Sequence, residues 1–406
     1  MKTIVFITFP LLFIVTTLYP QVRIDGKVVD IEGHPVPSAY VLSTKSFTGT
    51  ITNQVGEFYL MVSEEDSLKV SHISYQEQRI KIEDKTPLIK LSPRMIVLPE
   101  LVVNDYANQC ISKALLKTKK EAINKSMSQA FYRQITRNDT IAAEIIEAFF
   151  GLETSPNGIE KRVLEESRYA LKKKDSLEQL RVNFSNFSDL LIANKVISET
   201  EPKDRQILTP FMPSGSEYYD FTVKEEFKGT RFNYVKIHFS PSKNNQKPSM
   251  EGDVIVNTST YNMVHVDFSI RHSLGVDFLN APSGKKLKAF DHLVTLSYDF
   301  MEQESSAVLN YIMASQYFKY QDERGLPHEV SVQANLVIFQ HDHKKIRGLK
   351  SLEKQVGSLK EIKNKKYNPL FWKENSIVKK TPLEKSIIAR FEKDGSFGPM
   401  FNSAKP

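Results

Sequence analysis

The chain has 406 residues, 40% of them apolar, with a formal net charge of +7 and a single cysteine. That length and apolar content suffice for two or three domains with cores of their own, and one cysteine excludes a fold stapled by intramolecular disulfides. Nine Lys or Arg against two Glu between Lys344 and Lys366 give a local balance of +7, equal to that of the whole chain, so the rest is close to neutral.

The chain opens with Lys2 and an apolar run from Ile4 to Leu18, followed by Tyr19-Pro20-Gln21. This is the pattern of a secretory signal peptide over residues 1–20, and the run is too short for a stable membrane span. No cysteine ends the apolar run, which argues against lipoprotein processing. No later segment approaches the length of a transmembrane helix, so the mature chain is expected to be exported, without a membrane span, and nucleic acid is not an expected partner.

From Val22 to Val103 apolar and polar residues alternate in short runs, as a half-buried antiparallel sheet requires. Gly33 turns the chain, Pro37 and Ala39 open the next strand, and Thr52-Asn53 with Gly56-Glu57-Phe58 mark a tight hairpin. In this order of turn signals the segment resembles the carboxypeptidase-regulatory-like (transthyretin-like) domains of Bacteroidetes envelope proteins. The resemblance implies a seven-stranded β-sandwich and an envelope location, with Gly49, Thr52, Gly56 and Phe58 in structural roles. It implies no peptidase activity, because the His-x-x-Glu pattern of zinc carboxypeptidases is missing.

Residues 104–126 read as a linking helix, with Ala107, Ile111, Ala114 and Leu115 at helical spacing and Asn104 or Asp105 as its cap. Residues 127–340 read as a large curved antiparallel β domain, with a first hairpin around Asn138-Asp139. Helices and loops are expected from Arg168 to Pro213, then long strands from Tyr218 onward. Gly252 to Tyr261 resembles the strand-turn-strand of half-barrel proteins that carry lipids or lipoproteins across the periplasm. Residues 341–406 read as a basic segment and a C-terminal tail, with a short helix starting near Thr381-Pro382. This tail resembles the ends of proteins that join such a sandwich to a domain of unknown function. The fold class is therefore mainly β: sandwich, linking helix, then a half-barrel-like sheet with a few helices.

Chemistry-bearing motifs are sparse. There is no Gly-x-Ser-x-Gly elbow and no phosphate loop. His341-Asp342-His343 lacks a third ligand in sequence and reads as a solvated loop, while Glu144 and Glu147, at odd spacing on one strand, fall on opposite faces. Cys110 reads as core filler in a helix. No catalytic, metal or cofactor site is expected. Two binding surfaces are. Val264, Val266, Phe268 and Ile270, with Val332, Ala334, Leu336 and Ile338, form apolar strand faces suited to lining an apolar ligand, unless Leu190, Leu191 and Val196 cover them. Lys344, Lys345, Arg347 and Lys350 suit contact with anionic lipid head groups.

These readings lead to a non-enzymatic envelope protein in the periplasm or at the outer membrane, binding or scaffolding an envelope partner. A periplasmic carrier of lipid or lipoprotein is the alternative, and a hydrolase with an unfamiliar site the third.

Overall fold

Alternation in the first seventy described residues produces two small sheets that share a core. The computed structural model describes residues 21–63, 65–97, 104–172, 187–228, 232–243, 245–271, 278–280, 286–303, 306–341, 346–352, 357–375 and 377–397. The leader expected over 1–20 lies outside them, as does most of the charged segment 171–180. Strands β1 (Gln21–Asp30), β4 (Glu57–Ser63) and β7 (Leu88–Leu91) form one sheet in the order β4-β1-β7. Strands β2 (Tyr40–Ser43), β3 (Gly49–Ile51), β5 (Ser67–His72) and β6 (Tyr75–Lys81) form the other, in the order β3-β2-β5-β6. Together they make the expected seven-stranded sandwich.

Ile24, Val41, Phe58, Val62, Leu68 and Leu91 are buried between the two sheets. The Phe58 ring lies over Gly26, where a Cβ would stand 2.4 Å from it. Gly56 closes the hairpin at φ +75, a conformation that favours glycine. Asn53 holds the same turn by accepting from the Val55 and Glu57 amides at 3.1 and 2.9 Å.

The chain leaves the sandwich through a strand that already belongs to the second domain. β8 (Met95–Val97) pairs with β12 (Tyr219–Lys228) at one edge of the large sheet. Helix α1 (Asn104–Glu121) follows and presses Ala107, Cys110, Ile111 and Ala114 into the main core. It stops before the expected residue 126, where β9 (Ser126–Asn138) begins.

The remaining strands are β10 (Ile141–Ser155), β11 (Gly158–Leu171), β13 (Asn233–Pro241), β14 (Glu251–Asn257), β15 (Met263–Ile270), β16 (Phe278–Asn280), β17 (Lys286–Gln303), β18 (Ser306–Gln321), β19 (Pro327–Gln340) and β20 (Lys350–Ser351). They pair antiparallel in the order β20-β11-β10-β9-β19-β18-β17-β15-β14-β13-β12-β8, with β16 on β17, and the sheet stays open. Bulges interrupt the longest pairs, at Phe290/Leu293 and Asp299/Phe300 between β17 and β18, and such insertions bend a sheet. β11 extends the first hairpin to Leu171, into a stretch expected to be helix and loop.

Each face of this sheet has its own cover. On one lie α1, α2 (Phe187–Ala193), the segment through α3 (Gly215–Tyr218), and α4 (Ser358–Asn364). Phe211 of that segment packs edge-on against Phe239 and Phe268, at 5.5 and 5.9 Å between ring centres. Tyr298 and Tyr219 tie it down by donating to the carbonyls of Asn194 and Leu208. On the other face sit the sandwich, α5 (Pro369–Glu374) and α6 (Pro382–Lys393). Residues 369–393 are thus packed into the fold. Thr381 and Glu384 form a capping box at the start of α6, and Ile387, Ile388 and Phe391 bury against Ile135, Ile145 and Ala170.

Candidate functional site

The sandwich meets the large sheet through the outer face of its four-stranded sheet, and polar side chains converge at that joint. Tyr40 is buried there. Its hydroxyl donates to the Ile338 carbonyl at 2.8 Å and lies 2.7 Å from His341 Nε2. Gly49 on the neighbouring strand admits the ring, since a Cβ there would stand 2.3 Å from Tyr40 Oη. Leu42 and Ile51 complete the contact with Phe131, Phe149 and Val337. The His341 amide donates to the Phe47 carbonyl, so backbone as well as side chain joins the two modules. This corrects the solvated-loop reading of His341, which is buried because the sandwich docks over it.

Beside this contact the two sheets part and leave a cleft of about 640 Å³. Its sandwich wall carries Lys69, His72, Glu77 and Arg79, and its sheet wall carries Tyr234, Val264, Asp299 and Glu302. Arg94, from the connection between β7 and β8, lines it as well. Its Nε donates to the Tyr75 carbonyl at 2.8 Å, and its guanidinium lies over the Tyr234 ring, 4.8 Å from the centre. Its Nη1 is buried with no hydrogen-bond partner among the described residues. Burial holds its pKa below the ordinary value, against the pull of Tyr234 and Glu77.

The carboxylates of the cleft are held by internal donors. Glu302 accepts from Tyr234 Oη at 3.0 Å, Asn257 Nδ2 at 2.8 Å, Thr260 Oγ1 at 2.9 Å and Asn262 Nδ2 at 3.1 Å. Burial, and then the charge of Glu302, pushes the Tyr234 phenol well up. Asp299 accepts from Asn310 Nδ2 at 2.9 Å and faces His265 Nδ1 at 3.4 Å, while His265 Nε2 faces Asp267 at 3.0 Å. Burial alone would lower His265, but hydrogen bonds to both carboxylates raise it to about 10, so it is an imidazolium. His72, in contrast, is pulled down to about 4 by burial despite the attraction of Asp299. The cleft therefore offers a spare guanidinium donor, a neutral imidazole and an aromatic wall, which suit binding an acceptor-bearing polar segment.

A second charged centre holds the C-terminal helices to the same face. Glu147 of β10 accepts from Arg133 Nε at 2.7 Å and Arg168 Nε at 2.6 Å, and Glu384 and Glu392 of α6 approach those arginines at 3.5 and 3.3 Å. Burial would raise Glu147, but the two guanidinium charges bring it to about 2. Glu144 points to the opposite face, as the odd spacing requires. There it accepts from Thr136 and Tyr169 hydroxyls, both at 3.0 Å, and burial pushes its carboxyl up.

The expected apolar lining divides. Val266, Phe268, Leu336 and Ile338, with Val332 and Ala334, share the main core with Leu191, Val196 and Phe211, while Leu190 packs against its margin. Ile270 is also buried. Val264 is not with them. It packs with Phe227 and Ile255 on the opposite face and lines the cleft. The cause is a bulge in β15: Val256 pairs with Met263 and Ile255 with His265, leaving Val264 as the extra residue.

Of the expected anionic-surface group, Lys344 and Lys345 lie outside the described residues, and Arg347 and Lys350 are exposed, Lys350 in the short edge strand β20. Cys110 is buried in the main core, its thiol pushed up by burial. Asp30, Glu32 and His34 have ligand atoms within 4.8 Å of one another, on a turn where Asp30 already accepts from the Glu32 and His34 amides. Sequence reasoning missed His72, Arg94, His265, Asp299 and Glu302. For His265, Asp299 and Glu302 the one signal was a charged side chain on a long strand, which looks the same whether that face meets water or another module; His72, at the end of a short strand, and Arg94, in a connection, carried none.

Comparison with known proteins follows this division. A CarboxypepD_reg-like domain model matches residues 24–103, and the model of a family of unknown function, DUF5686, matches residues 100–339. The chain is 36% identical over 86 residues to the TonB-dependent receptor SusC of Bacteroides thetaiotaomicron; the match covers 21% of this chain and 8% of that receptor. Among solved structures, a DUF1329 family protein from Desulfovibrio piger aligns at 9% identity over 57% of this chain and 92% of its own, with a TM-score of 0.21. The Bacillus cereus major pilin subunit BcpA aligns at 11% identity over 77% of this chain and 95% of its own, with a TM-score of 0.15. Scores so low support no argument about fold.

Proposed function

The chain belongs to the DUF5686 family of unknown function, and from that premise we propose that it is a non-enzymatic binding or scaffolding protein at the periplasmic side of the outer membrane. Its sandwich and sheet act as one body, and the cleft at their joint receives a polar segment of an envelope partner. The observation that carries this reading is the contrast between the cleft and the sheet's other face. The face suited to an apolar ligand is occupied by the chain's own Leu191 and Phe211, whereas the cleft retains open volume and a guanidinium donor without a partner among the described residues. The sandwich module related to part of SusC supports the outer-membrane setting. The filled face speaks against the carrier reading.

The test is site-specific photo-cross-linking in cells producing the full chain. A cross-linker at Gln76 in the cleft is expected to give a discrete adduct with an envelope protein that disappears with Arg94→Glu. A cross-linker at exposed Ile123 is expected to give none. The same adducts from both positions, indifferent to Arg94, would sink the proposal.

A further inference from the structure

A second cavity lies among the C-terminal helices, away from the residues that line the cleft. It measures about 610 Å³, and its apolar wall comes from Tyr367, Trp372, Ile388 and Phe397. Tyr367 stacks on Phe397 at 5.4 Å, and Arg168 lies over both Trp372 and Phe397, 4.5 and 4.8 Å from the ring centres. The aromatic wall is thereby fixed from behind by a buried cation. Lys373, Lys380 and Lys385 also line the cavity, and none of the three makes an ion pair among the described residues. Its one carboxylate, Glu392, is engaged by Arg168 at 3.3 Å. Trp372 is only 5% exposed, and its indole N–H is buried without an acceptor among the described residues.

We propose that this cavity binds an anionic amphiphile, a ligand with an apolar body and a phosphate or carboxylate head. Three ammonium groups without an ion pair and an indole N–H without an acceptor among the described residues supply the donors. Lys380 bears the clearest mark of the unmet charge, because burial lowers its pKa against the attraction of Glu147. The aromatic wall excludes a small inorganic anion as the preferred occupant, since it would leave the apolar surface uncovered. This inference goes beyond the scaffolding proposal and does not depend on the cleft.

Trp372 is the chain's only tryptophan, so the cavity carries its own reporter. Titration of the full chain with monomeric dodecyl phosphate is expected to change its fluorescence saturably, and inorganic phosphate to leave it unchanged. Lys385→Gln, on an exposed helix position that leaves the fold intact, and Lys380→Gln should each weaken binding about fivefold. Lys350→Gln, at the sheet edge, should not. Two results would overturn the proposal: no saturable change at millimolar dodecyl phosphate, or an equal response to inorganic phosphate. Vesicles of anionic phospholipid distinguish the source of the head group. A response to vesicles alongside dodecyl phosphate places the ligand in a membrane leaflet, whereas a response to vesicles alone means surface adsorption and refutes the cavity.

Discussion

The two faces of the large sheet are covered by different chemistry. One is closed by aliphatic and aromatic side chains from α1, α2 and the segment around Phe211, with Glu144 as a hydrogen-bonded exception. The other is closed by separate modules, the sandwich and the C-terminal helices, and buries the Arg133–Glu147–Arg168 centre and the His265 imidazolium beside Asp299, with half-exposed Asp267 at its margin. Apolar burial is proportional to area and indifferent to register. Charges in a dry interface are tolerated only where partner and distance are right, so the charged face fixes where each cover sits.

The largest effect is expected from Glu147→Gln. It leaves two buried guanidinium groups facing a neutral amide and is expected to cost about 3–5 kcal/mol in denaturant unfolding. A loss below about 1 kcal/mol would mean that Glu384 and Glu392 already satisfy the arginines. On the apolar face, Leu191→Ala is expected to cost about 2–4 kcal/mol through the cavity it leaves, with no change in the pH dependence of stability.

The pH dependence itself belongs to the charged face and has two limbs. His265 is raised from 6.5 to about 10, so its contribution is complete below pH 6.5 and is lost as pH rises through 10. His72 is lowered from 6.5 to about 4, so the unfolded chain takes up the extra proton and stability falls as pH drops from 6.5 to 4. Each limb should be worth roughly 1–3 kcal/mol, read from denaturation midpoints near pH 5, 6.5 and 9. His265→Gln should flatten the alkaline limb alone, and an unchanged alkaline slope would show that the imidazolium is not what holds Asp299. Tyr40→Phe is the mildest change. Losing the hydroxyl's bond to Ile338 should cost about 1 kcal/mol and leave the fold intact, as circular dichroism would show.

The sandwich was legible because its information is local. A hairpin needs Gly56 at positive φ and Asn53 to hold the turn, and alternation around Phe58 states which side is inside. The long strands of the second domain were legible for the same reason, and so was the Thr381 cap of α6. The bulge at Val264 was not. Alternation places Val264 with Val266, and only pairing with β14, where one residue of β15 has no counterpart, turns it to the other face. His341 shows the same limit. Read alone it is a polar residue at a strand end; buried under Tyr40 it is part of a joint made by two residues 301 positions apart in sequence.

Residue patterns alone yield the β class, the alternating sandwich, the helix that follows it and the period of most long strands. These depend on φ/ψ preference and side-chain alternation, which act over a few residues. Which face of the sheet meets which cover is set by packing between distant segments, and that packing makes the cleft, the charged centres and the lysine-rimmed cavity. Outward-pointing polar residues read alike from sequence whether water or another module lies against them, and the difference appears only when distant segments are brought together.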